Sequence, residues 1–135
     1  MDIDKKCRDT LIKYETIIFA YIFGSFVQNK LKAGSDIDIA IYLEEDLGAD
    51  IYLEIKNTLS DDIKREVDLV ILNEAPPLLK YEIYKNNLLL FTRNKTIESN
   101  QKVKTLFQYN DMKRYLDLSY NKTIERLKEE VKING

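Results

Sequence analysis

Residues 36–44, DIDIAIYLE, constrain the fold more than any other stretch. They alternate and are rich in β-branched residues, the pattern of a strand with one buried face. On such a strand Asp36 and Asp38 share one face, and Ile37, Ile39 and Ile41 share the other. Aspartate is depleted from strands, and neighbouring carboxylates repel each other and lose solvation. An exposed strand start would tolerate the pair; elsewhere something cationic is expected between them. Two hard oxygen donors on one face suit Mg²⁺, which takes a few carboxylates together with phosphate oxygens.

Two further features strengthen the second option. Asp68 lies in EVDLVIL (66–72), again a carboxylate inside an apolar, β-branched run. If the two strands are neighbours, Asp68 lies beside Asp36 and Asp38, and three convergent carboxylates form a two-metal site. A charge pair of Asp68 with Lys64 or Arg65 is the alternative. Gly24-Ser25 ends the apolar run IIFAYIF (17–23), and a glycine there lets backbone amides approach a phosphate closely. Ten residues then separate Ser25 from Asp36, giving Gly-Ser, x10, Asp-x-Asp.

The remaining pattern is that of alternating helices and strands. Ile3, Cys7, Leu11 and Tyr14 mark one face of an opening helix, and residues 17–23 a buried strand. Residues 25–33 read as a short helical turn and a loop. Leu47, Ile51, Ile55, Leu59 and Ile63 recur at i+4 and predict a helix over 47–63. Residues 66–73 form a third strand, Pro76 and Pro77 open a helix running to about Asn86, and 88–92 form a fourth strand. A helical stretch over 96–132 carries Val103, Leu106, Tyr109, Met112, Leu116, Tyr120, Ile124, Leu127 and Val131 on one stripe. Poor helix formers at Asn110-Asp111 and Ser119 mark where it would divide. Unbroken, it would run about 55 Å at 1.5 Å per residue, longer than so small a domain covers.

The expected fold is therefore α/β (α+β): a small mixed sheet of about four strands with flanking helices and a long helical C-terminal tail. At 135 residues this is one domain, with a catalytic core at 1–93 and a helical extension at 94–135.

Composition narrows the chemistry. The chain has no histidine and one cysteine, Cys7, which excludes imidazole catalysis, His-ligated zinc and an internal disulfide. Carboxylates, hydroxyls, amines and oxygen-bound metal ions remain. Residues 1–93 carry 12 basic and 17 acidic side chains, whereas residues 94–135 carry 9 basic and 6 acidic. No strongly basic surface results, so direct nucleic-acid binding is not expected. The longest apolar run is seven residues, too short to span a membrane, and the first ten residues lack a signal-peptide pattern. A cytoplasmic location with no membrane partner is expected.

The Gly-Ser, Asp-x-Asp and third-acid pattern resembles the DNA polymerase beta-like nucleotidyltransferase superfamily. It is closer to the minimal nucleotidyltransferase (MNT) family, which includes the MntA-type antitoxins of HEPN/MNT toxin–antitoxin systems. FGSF (23–26), SDIDIAIYL (35–43), EVDLVIL (66–72) and APPLLKYEIYKNNLLLF (75–91) carry the resemblance. It implies the polymerase beta-like fold, with Gly24, Ser25 and Ser35 as nucleotide-binding residues. It further implies that Asp36 and Asp38 bind two Mg²⁺ ions, and that Asp68 binds one of them and helps deprotonate the acceptor. The residues after Gly-Ser depart from many relatives: Phe26 stands for a basic residue or Tyr, and Asn29 for Gly. Asparagine accepts the left-handed backbone, and Lys30 or Lys32 can supply the cation.

What the resemblance implies for function is AMP transfer from ATP to a tyrosine of a cognate HEPN ribonuclease toxin, neutralising it. Part of the tail stripe would dock that partner. The alternatives are an antitoxin acting by binding alone, and a transferase acting on a small molecule or an RNA end.

Overall fold

The computed structural model of the chain describes residues 2–134, with side chains described as far as Val131. Met1 and Gly135, the ends of the expected 1–135 domain, lie outside the described residues. The elements run α1 (Ile3–Leu11), β1 (Ile17–Phe23), β2 (Ile37–Leu43), α2 (Gly48–Ile63), β3 (Val67–Ile71), α3 (Pro77–Lys85), β4 (Asn87–Thr92) and α4 (Lys95–Asn134). The strands form one mixed sheet in the order β3-β2-β1-β4. β1 is antiparallel to both neighbours, whereas β2 and β3 run parallel, joined by the α2 crossover.

This topology explains the sequence patterns. β1 is central and apolar along its whole length because helices cover both its faces. β2 alternates because its two faces meet different surroundings. Ile37, Ile39 and Ile41 are fully buried against Cys7 and Leu11 of α1 and Ile55, Leu59 and Ile63 of α2. At about 1.5–3 kcal/mol per buried aliphatic side chain, this layer is the main stabilising core. The opposite layer is smaller and aromatic. Phe19 stacks on Tyr42 with ring centroids 4.9 Å apart, and Tyr21 meets Tyr84 edge-on at 5.7 Å. Ile83 and Leu72 complete it.

Several expectations shift in detail. α1 ends at Leu11, so Tyr14 sits just past the helix, half-buried. Within α2, Ile51 is exposed, and the half-buried Tyr52 packs instead, its hydroxyl donating to Leu69 O at 2.6 Å. The helix starts at Gly48, and Leu47 before it packs on the same core.

The tail differs most. α4 is a continuous helix of 40 residues with no division at Asn110-Asp111 or Ser119. Asn, Asp and Ser cost only tenths of a kcal/mol each in a helix, and the flanking turns absorb that. Its half-buried or buried face is Ile97, Gln101, Thr105, Gln108, Tyr109 and Met112, a partly polar line rather than the expected apolar stripe. It is held by Tyr21 Oη donating to Glu98, by Lys80 Nζ donating to Gln108 Oε1 at 3.1 Å, and by Tyr81 stacked on Tyr109 at 3.7 Å. Beyond Met112, only Ile124 is less than exposed among residues 113–131; Leu116, Tyr120, Leu127 and Val131 face solvent. Among the described residues no helix is long and apolar enough to cross a membrane.

Candidate active site

The carboxylate site forms where β1 ends and β2 and β3 begin. In the parallel β2–β3 pair, Asp38 lies directly opposite Asp68, so the two carboxylates occupy neighbouring strands on the same face. That face is the aromatic one, but the aromatic cluster covers only the far end of the sheet. Asp38 is half-buried and Asp68 exposed at its rim.

Across the other edge of β2, Phe23 pairs with Asp38, which brings the turn Gly24–Phe26 over the carboxylate. Gly24 has φ +73°, and a Cβ at this position would collide with Asp38 Oδ2. Both the turn and the close approach therefore require glycine. Ser25 is half-buried in this turn, and its carbonyl accepts from Lys30 N–H at 2.9 Å. Asn29 adopts φ +57°, the left-handed backbone expected of it.

Asp36 is placed differently from the sequence expectation. It lies one residue before β2, exposed, and not within the strand. The strand pairing stops at Ile37, whose N–H donates to Glu66 O at 2.9 Å. Ser35 precedes it in a turn: Ser35 N–H donates to Lys32 O, and Lys32 N–H donates to Ser35 Oγ, each at 3.0 Å. The Ser35 hydroxyl oxygen is thus engaged within its own loop.

Electrostatics single out Asp38. Burial raises its pKa above the ordinary carboxylate range, and the charges of Asp68 and Asp36 push it further in the same direction. Arg65 hydrogen-bonds to backbone rather than serving as the counter-charge considered for Asp68. Its Nη1 donates to Lys32 O at 3.1 Å and to Ser35 O at 3.2 Å. Among the described residues no three or more of His, Cys, Asp and Glu close on one metal position. The donor set nevertheless suits Mg²⁺. That ion is commonly held by one or two carboxylates, with water and phosphate oxygens completing its shell. The facing Asp38 and Asp68 would provide the two carboxylates, and the charge of Asp36 reaches Asp38 from just before β2.

A cleft of about 680 Å³ opens nearby between Gly34, Ser60, Lys64 and Arg65, but none of the three aspartates lines it. The carboxylate face itself is open. Sequence reasoning missed the Arg65 contact because it joins residues about thirty positions apart.

Comparison with known proteins agrees with this fold. The chain is 34% identical over 82 residues to MJ0435 of Methanocaldococcus jannaschii, provisionally named a protein adenylyltransferase, covering 61% of this chain and 87% of that one. Its fold matches a chain of a toxin–antitoxin crystal structure with AMP-PNP (TM-score 0.73, 23% identity, 87% of this chain and 98% of the other). It also matches a chain of the structure of a tri-AMPylated Shewanella oneidensis HEPN toxin in complex with MNT antitoxin. There the TM-score is 0.69 and the identity 21%, over 90% of this chain and 98% of the other. The family model described as "Polymerase beta, Nucleotidyltransferase" matches residues 5–96, the whole body of the fold including Gly24, Asp38 and Asp68. The chain belongs to the polymerase beta nucleotidyltransferase family.

Proposed function

We propose that this nucleotidyltransferase is an antitoxin that transfers AMP from ATP to a tyrosine hydroxyl of a cognate HEPN toxin and thereby neutralises it. The observation that carries the proposal is Asp38 facing Asp68 across the β2–β3 pair, with Gly24 pressed against Asp38. Support for the acceptor comes from the neighbouring fold in a complex of an AMPylated HEPN toxin, and from the adenylyltransferase name of the archaeal relative.

In the reaction, the acceptor oxygen attacks the α-phosphorus, the bond to the β-phosphate oxygen breaks, and pyrophosphate leaves. The Gly24–Phe26 turn offers backbone amides and the Ser25 hydroxyl to the triphosphate, and the absent Cβ at Gly24 leaves room beside Asp38. Asp36, Asp38 and Asp68 would hold two Mg²⁺ ions, which neutralise phosphate charge and ease ionisation of the acceptor hydroxyl. Asp68, exposed at the rim, receives the acceptor's proton. Catalysis by positioning and charge requires no imidazole, which fits a chain without histidine.

The exposed outer half of α4 is the surface on which the partner docks. It lies outside the body, carries Leu116, Tyr120 and Leu127, and belongs to the cationic part of an otherwise acidic chain. The same exposed face favours a second reading, inhibition by binding alone. One experiment separates the two. The protein is mixed with the chain encoded by its neighbouring reading frame, expected to be a helical HEPN protein, with ATP and Mg²⁺, and the products are weighed by intact-mass spectrometry. AMP added to a tyrosine of the partner supports transfer. A partner that is inhibited but unmodified supports the binding antitoxin, and AMP found instead on a small molecule or RNA end replaces both.

A further inference from the structure

Asp36 is the one member of the carboxylate trio that the sheet does not hold. Its successor, Ile37, is the last residue tied to β3 by the backbone, through Glu66 O. One step earlier the Ser35 carbonyl accepts from the Arg65 guanidinium instead, and the same nitrogen reaches Lys32 O. The turn so gripped has little packing of its own, because Lys32, Ala33 and Gly34 are all exposed. Gly34 stands at φ +83° and adds no side chain.

Arg65 is well placed for this task. Lys64 ends α2 in the left-handed conformation, at φ 58° and ψ 36°, which turns the chain sharply out of the helix and into β3. Arg65 follows immediately, half-buried, and Asp68 is three residues further along the same segment. One short stretch therefore supplies a carboxylate to the site and a side-chain clamp on the loop that delivers another. Hydrogen bonds from a charged donor to carbonyls contribute more than neutral ones.

We infer that Arg65 is a positioning residue: by holding the Lys32 and Ser35 carbonyls it fixes Asp36 beside Asp38 and Asp68, and so sets the affinity of the site for its divalent cation. The inference rests on the metal-dependent transfer proposed above. Arg65 does not touch the reacting atoms; it acts through Asp36.

The test is a double-mutant cycle read by calorimetric titration of Mg²⁺ into the full-length protein with AMP-PNP present. Arg65→Gln is expected to weaken Mg²⁺ binding about tenfold in the parent background. In the Asp36→Asn background the same change is expected to weaken it less than about twofold, since the carboxylate it positions is gone. Arg65→Lys, which keeps the charge and a donor, should recover part of the loss. Amide hydrogen exchange at Ser35 should quicken in Arg65→Gln while the central β1 amides stay protected.

Equal weakening in both backgrounds would make Arg65 a general support of the fold and overturn the inference. Unchanged Mg²⁺ affinity with unchanged Ser35 exchange would overturn it too. A parent protein that takes up no Mg²⁺ with AMP-PNP would instead bring down the metal reading of the site. That failure shows in the unmutated protein, so the two are told apart. If Arg65→Gln does not fold, Arg65→Lys carries the cycle: a loss that persists undiminished with Asp36→Asn again overturns the inference.

Discussion

The two faces of β2 and β3 are one residue apart in sequence and opposite in physical role. On one face Ile37, Ile39 and Ile41 are wholly buried under α1 and α2. On the other, Tyr42 and Ala40 are covered by the aromatic layer, and Asp38, nearer the strand start, is left partly open. The first face gains stability from every residue it presents. The second gives some up, because Asp38 is desolvated next to two like charges. A fold can carry that cost only where another surface over-determines the strands. Here the aliphatic layer does so, which lets the carboxylate end of the sheet be arranged for chemistry.

That contrast can be broken from either side. Ile39→Asp places an unpaired carboxylate in the aliphatic layer, one residue from a carboxylate the fold already tolerates. The cost is several kcal/mol, comparable to the whole stability of a small domain. No cooperative thermal transition should be seen by circular dichroism; a folded Ile39→Asp protein would show that the two faces are equivalent.

Asp38→Asn should do the reverse. Nucleotide transfer is expected to fall about a thousandfold, roughly 4 kcal/mol in barrier. The melting temperature in EDTA should rise by a few degrees, because a repelled charge has been removed. Transfer at the parental rate would refute the site, and a lower melting temperature would refute the account of its electrostatic strain.

Smaller effects belong to α4. Leu116→Lys with Tyr120→Lys changes only exposed positions, so stability should move by less than about 0.5 kcal/mol. Co-purification of the proposed HEPN partner should nevertheless be lost. Retained capture would place the docking surface elsewhere.

The last contrast appears only at alkaline pH and centres on Cys7, inside the aliphatic layer, where burial and the nearby Asp4 and Asp62 push the thiol from about 9 up to about 12. Its raised folded-state value means that stability is undiminished below about pH 9. Stability then falls as pH rises from about 9 towards about 12, because only the unfolded chain releases the proton. Denaturant melts across that range measure the slope, and Cys7→Ala should make it shallower, the fall that remains above about pH 10 belonging to Tyr21 and Tyr84, whose phenols burial also pushes up.

Which parts of this were legible in the sequence follows from the range of the interactions. β1 was readable to the residue, because apolar runs and turn chemistry are local. The nearness of Asp68 to Asp38 was legible only on the condition that their strands pair, and the contact that demands glycine at 24 was not, since strand order is a non-local property. Asp36 was assigned to the strand because its spacing from Asp38 fits one; what ends the strand is the hydrogen bonding of Ser35, which no periodicity reports. Arg65, with Lys64, entered only as an alternative charge partner for Asp68 three residues on, although its hydrogen bonds go to a loop thirty residues away. In α4 the apolar stripe was visible, but the packed face follows Gln101, Thr105, Gln108 and Tyr109, the last two held by Lys80 and Tyr81 of another helix.

The unbroken α4 also has a metrical consequence. Because its inner half is fastened to the sheet and α3, each residue beyond Met112 has a fixed height and azimuth relative to the body, advancing about 1.5 Å and 100° per position. Removing a full turn of three or four residues from the outer half lowers everything beyond it by about 5 Å and nearly preserves its bearing. Removing two swings it to the opposite side. The outer helix therefore works as a graduated rod whose length and angular phase are both set by a single residue count.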